Sequence, residues 1–168
     1  MSLLQREIRQ RRPFPSHSAE GVVALLRTTD VLRRILSGVV ERQGITLQQY
    51  NVLRILRGAG SDGLPTLEIA QRMIEESPGV TRLLDRLENK GLARRERCPH
   101  DRRQVTCRIT PTGLRVLTRL AAPLDAASSG LLGRLGDVRT VRLVRFLDEI
   151  RAAARTMVPV PVQGEDPR

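Results

Sequence analysis

Val80, Leu83, Leu84 and Leu87 recur at helical spacing, while Thr81, Arg82, Asp85, Arg86 and Asn89 fall off that stripe. One side of the segment packs and the other is left to face outward. Ser77 is a suitable N-cap, because its hydroxyl can accept from an orphan backbone N–H, and Pro78 then loses no helical hydrogen bond. Gly91 follows Lys90 at the position where a residue without Cβ ends a helix in the left-handed conformation. The pattern predicts a helix of about three to four turns from Pro78.

The period changes after Gly91. Val105, Cys107 and Ile109 alternate with Thr106, Arg108 and Thr110, the period-two signature of a half-buried strand. With Leu92–Cys98 before it and Pro99–Arg103 between, this predicts a two-stranded hairpin with a charged tip. Arg94, Arg95, Arg97, Arg102 and Arg103 make it strongly basic. Alone, such a run reads as a solvated edge strand protected against aggregation. Directly after a helix with a polar outer face, it reads as the wing of a winged helix-turn-helix suited to duplex DNA.

Flanking elements follow the same rules. Val22, Val23, Leu26, Leu32, Ile35, Leu36, Val39 and Val40 predict a long amphipathic helix from about Ala19 to Arg42, behind a basic, Pro-containing arm over 1–18. Thr46 and Gln49 form a capping-box pattern for a helix that continues to about Arg57, with Gly58 as the residue that ends it. Gly58–Gly63 is a turn region, and Thr66 should cap a short helix reaching Met73. Thr110 and Pro111 start a helix toward Leu132, with a kink or break expected near Leu120 because Pro123 lies inside it. Asp137 should cap a last helix striped by Val141, Leu143, Val144, Leu147 and Ile150, with a flexible tail after Thr156.

The expected fold is therefore mainly α with a small β-hairpin wing. Residues 46–110 would form the winged helix-turn-helix lobe, and 19–45 with 111–156 a helical dimerisation lobe. At 168 residues the chain can bury a core of its own.

Charge changes the picture in one direction. With 29 basic against 18 acidic residues the formal charge is +11, which favours a polyanionic partner. Lys90 is the single lysine, so the charge is arginine, whose planar fork suits phosphate and guanine; a coding preference for arginine would give the same count. Two Phe, one Tyr and no Trp are too few for base-stacking platforms, so double-stranded DNA is the better target than single strands. No apolar run of spanning length and no secretory leader pattern is present, and the expected compartment is the cytoplasm.

Leu67-Glu-Ile-Ala70, Val80-Thr-Arg-Leu-Leu-Asp-Arg-Leu-Glu-Asn-Lys-Gly-Leu92, Asp101-Arg-Arg103 and Ile109-Thr-Pro-Thr-Gly113 together resemble the MarR family of bacterial transcriptional regulators, most strongly over 46–117. The resemblance implies a homodimer that binds a pseudo-palindromic operator, usually as a repressor, and releases it on a small-molecule or stress signal. It also implies that the terminal helices pack in an intermolecular interface.

Site assignments combine geometry with that resemblance. A recognition helix presents its N-terminal residues to base edges in the major groove. Arg82 matches an arginine used for DNA contact in one branch of the family, and can hold guanine O6 and N7 together. Ser77, Gly79 and Thr81 are read as phosphate or shape contacts, and Arg86 as a further DNA-facing cation. Arg103 matches the arginine of the family's Asp-x-Arg wing motif and would enter the minor groove, with Arg102 beside it and Asp101 orienting the tip.

Other chemistry finds little footing. Glycine loops for phosphate, metalloprotease helices and nucleophile elbows are all missing, so no catalysis and no cofactor are expected. Cys98, His100 and Cys107 lack a second paired-ligand motif, and no metal is expected. Peroxide sensing in one branch of the family uses a cysteine near the first long helix, whereas this chain has none before Cys98. The alternative from outside regulation is an architectural protein that coats duplex DNA without sequence preference.

Overall fold

The computed structural model of the protein describes residues 2–75, 79–97 and 105–157. These fall into two compact units, Met1–Ala127 and Ser128–Arg168, with the boundary inside a helix. The first contains α1 (Leu3–Glu7), α2 (His17–Glu41), α3 (Leu47–Gly58), β1 (Leu64–Pro65), α4 (Thr66–Arg72), α5 (Val80–Asn89), β2 (Ala93–Arg97), β3 (Val105–Ile109) and most of α6 (Pro111–Leu132). A 3₁₀ turn, Gly133–Leu135, and α7 (Gly136–Thr156) lie in the second.

The core of the first unit gathers apolar residues from α2 to α6 and from the three strands. Val52, Leu53 and Leu56 of α3, Ile69 of α4, and Leu84 and Leu87 of α5 are at or below 1 % exposure. Val40 at the end of α2, Cys107 of β3 and Leu120 of α6 close the same cluster. The helices hold together because each buried Leu or Val contributes about 1.5–3 kcal/mol of transfer free energy.

Capping explains most of the boundaries. Thr46 and Gln49 form the reciprocal box, with Thr46 Oγ1 accepting from Gln49 N at 3.2 Å and Gln49 Oε1 accepting from Thr46 N at 3.0 Å. At the end of α5, Gly91 has φ +64°, which a residue without Cβ adopts freely. The N–H of Gly91 donates to Glu88 O at 2.8 Å and that of Leu92 to Leu87 O at 2.9 Å, the two bonds of a Schellman ending. Lys90 donates from Nζ to the carbonyl of Gly44 in the α2–α3 turn.

Several expectations are corrected. The wing sheet has three strands in the order β1-β3-β2, because Leu64 and Pro65 pair with Cys107 and Thr106 of β3. Thr66 consequently enters α4 straight from a strand and caps nothing; its hydroxyl lies 3.9 Å from Cys107 Sγ. Gly58 is the last residue of α3, and the left-handed residue that follows is Gly60. Asp137 lies in the first turn of α7 without a capping bond, where its charge faces the positive end of the helix dipole. No break occurs near Leu120, and α6 continues through Pro123 to Leu132. The first long helix starts at His17 under a Ser16 cap, and the basic arm contains α1, closed by a Ser2–Gln5 capping box.

Candidate nucleic-acid interface

The helix-turn-helix pair is α4 with α5. Val80, Leu83, Leu84 and Leu87 are buried, so the opposite face of α5 is fixed by elimination: Thr81, Arg82, Arg86 and Asn89 are exposed. The stretch after α4 is tied down, since Ile74 N–H donates to Asn51 Oδ1 at 2.9 Å and Glu75 pairs with Arg33 of α2 at 2.9 Å. Gly79 precedes α5, and its carbonyl accepts from Leu83 N at 3.0 Å. The described helix begins at Val80; Ser77 and Pro78 lie outside the described residues, as do Asp101, Arg102 and Arg103.

Charge on this face is sorted into two classes. Arg82 and Arg86 have no ion-pair partner among the described residues and point their charge outward. Arg94, Arg95 and Arg108 of the strands are engaged internally. Arg94 and Arg108 stand opposite each other across β2 and β3, where like charges repel, and Glu96 lies between them. Its carboxylate meets Arg94 Nε at 3.0 Å and, as an ion pair, Arg108 Nε at 3.2 Å. Arg95 turns to the other face of the sheet, toward Asp85 and Glu88 of α5. Burial opposes its charge, but the hydrogen bond and charge of Asp85, aided by Cys107 and Glu88, more than offset that and raise its pKa above the ordinary value.

This separation was not readable from composition, which counts all the arginines alike. The signal available was the acidic pair Asp85 and Glu88, placed on the helix that the basic strand must cross. Cys107 is free and 1 % exposed beneath the sheet, while Cys98 and His100 lie outside the described residues. Among the described residues no group of three or more His, Cys, Asp or Glu side chains could hold a metal ion.

A buried three-helix core, a recognition helix with an outward cationic face and an antiparallel wing define a winged helix-turn-helix DNA-binding protein. The family model described as MarR family matches residues 45–105, which span α3 to the start of β3. The chain is similar to a MarR transcription factor from Planctomyces limnophilus, with 35% identity and a TM-score of 0.63 over 81% of this chain and 98% of that one. It is also 32% identical over 117 residues to the HTH-type transcriptional repressor MdtR of Bacillus subtilis, covering 70% of this chain and 74% of the repressor. The S. aureus MepR-DNA complex shares the fold at 22% identity, with a TM-score of 0.71 over 84% of this chain and 99% of MepR. The chain belongs to the MarR family of transcriptional regulators. That membership leaves the architectural alternative without support.

Proposed function

We propose that the chain is a transcriptional repressor that binds a pseudo-palindromic operator as a homodimer and releases it when a small molecule or stress signal acts. The observation that carries the reading is the outward face of α5, where Arg82 and Arg86 have no ion-pair partner among the described residues beside Thr81, while Arg94, Arg95 and Arg108 of the neighbouring strands are paired. A helix so equipped reads base edges in the major groove, and two-fold symmetry sets a second copy about one helical turn away.

Dimerisation is supported by apolar surface. On α7, Val138, Val141, Val144, Phe146 and Ile150 are between 48% and 69% exposed, and no residue of that helix is buried. On α2, Val22 and Leu26 are likewise exposed. In this reading a second copy covers these faces, so that 19–45 and 111–156 form the dimerisation region. Ser77, Gly79 and Thr81 serve as phosphate or shape contacts, Arg103 with Arg102 enters the minor groove and Asp101 orients the tip. An effector acts by favouring one separation of the two recognition helices over another. The working compartment is the cytoplasm; no helix among the described residues is long and apolar enough to cross a membrane.

Selection of duplexes from a random pool at fixed salt, followed by sequencing, tests this. Enrichment of a two-fold-symmetric site supports a dimeric regulator. Tight binding with no enriched motif would refute it, because charge alone gives non-specific affinity.

A further inference from the structure

We propose that Arg95 is a positioning residue that fixes the wing to the recognition helix and uses its charge inside the protein instead of on DNA. The proposal rests on the DNA-binding reading above and adds a division of labour within it. Thr81, Asp85 and Glu88 recur at i, i+4 and i+7, so they share one face of α5. The Arg95 guanidinium lies along that face. Its Nη1 meets Asp85 Oδ1 at 2.5 Å and Glu88 Oε2 at 3.2 Å, and its Nη2 donates to the Thr81 carbonyl at 3.1 Å. The backbone N–H of Arg95 adds a bond to Glu88 Oε1 at 3.0 Å.

One side chain thus grips two turns of the helix, and its own main chain is held as well. A planar fork can address these acceptors together, whereas a lysine ammonium is a single point charge. Exposure separates the roles: the Arg95 side chain is 25% exposed, against 58% for Arg94 on the opposite face of the same strand. Cys107, directly across the ladder from Arg95, is buried in the core, which seats this part of the hairpin.

Two consequences bear on DNA. The angle between α5 and the hairpin is set before binding, so the ordering cost of holding two reading elements together is already met in the free protein. Asp85 and Glu88 are held by the same guanidinium, so the acidic side chains of the recognition helix are fixed along one face of α5.

The test uses the full chain with Arg95→Ala and Arg95→Lys, titrated across a salt series against two probes: the duplex enriched by selection, and a random-sequence duplex of equal length. Both variants should bind the selected duplex about tenfold more weakly, lose much less on the random duplex, and keep the wild-type slope of log K against log salt. A slope shallower by about 0.9 in Arg95→Ala would make Arg95 a phosphate contact and overturn the proposal. Unchanged affinity, or equal loss on both probes, would overturn it too. Arg95→Lys keeps the charge without the fork, and decides the matter if the alanine variant does not fold. Should wild type enrich no symmetric site, the repressor reading fails separately, while the salt slope on random duplex still reports whether Arg95 touches phosphate.

Discussion

The hydroxyl of Thr110 donates to the carbonyl of Gly91 at 2.7 Å and accepts from the N–H of Gly113 at 3.1 Å. One side chain therefore closes the end of the recognition helix and opens α6, and the N–H of Thr110 adds a bond to Leu92 O at 3.1 Å. Thr110→Val keeps the shape and removes both hydroxyl bonds. It should destabilise the protein by about 1–2 kcal/mol, read as a lower urea midpoint at an unchanged m-value.

Gly113 lies against the same junction. A Cβ built there would overlap the Leu92 carbonyl and come within 2.8 Å of Ile109 Cγ1, so the helix start and the strand cannot both stay in place. Gly113→Ala should cost about 1–3 kcal/mol in chemical denaturation, although alanine is the better helix former. A stabilised variant would show that the junction yields freely.

Leu84 is 1 % exposed at the centre of the α5 stripe. Leu84→Ala should lower stability by about 2–5 kcal/mol, and binding should fall in step with the folded fraction. Arg82→Ala should leave the melting temperature within a degree or two and cost about 1–3 kcal/mol of discrimination at a single base position. Equal loss on every sequence would instead make Arg82 a phosphate contact.

Cys107 is packed beneath the sheet and should resist alkylation in the native protein. In a Cys98→Ser background, iodoacetamide labelling followed by mass spectrometry should show modification only after denaturant is added. Operator release by peroxide that persists in the Cys98→Ser, Cys107→Ser double variant would exclude cysteine-based sensing.

Much of this arrangement was legible in residue spacing. The stripe of α5, its glycine stop, the Thr46–Gln49 box and the Thr110 start each follow from local chemistry, and local chemistry decides them in the structure; the alternation of β3 places the strand, but of its apolar set only Cys107 is buried and Val105 is exposed. The Ser2–Gln5 box obeys the same rule as Thr46–Gln49, but a helix of five residues is too short to show an apolar period. Elements set by distant partners were not legible. The strand Leu64–Pro65 is too short for a period and exists because β3 has an open edge beside it. Thr66 and Asp137 have the right chemistry for caps, yet the chain reaches their helices from a strand and from a 3₁₀ turn that leave them one or two places inside. The outward face of α5 follows from its buried stripe, but which arginine of β2 crosses to it depends on register with Cys107, which no single strand reveals.

Lys90 is the one lysine of the chain, and it holds the α2–α3 turn from the C-terminal end of α5. Apart from the amino terminus, an amine-directed dye therefore has a single place to attach, at the tail of the helix that reads DNA. Its rate of attachment would report how often that tether lets go, giving a label-ready gauge of recognition-helix docking without an engineered residue.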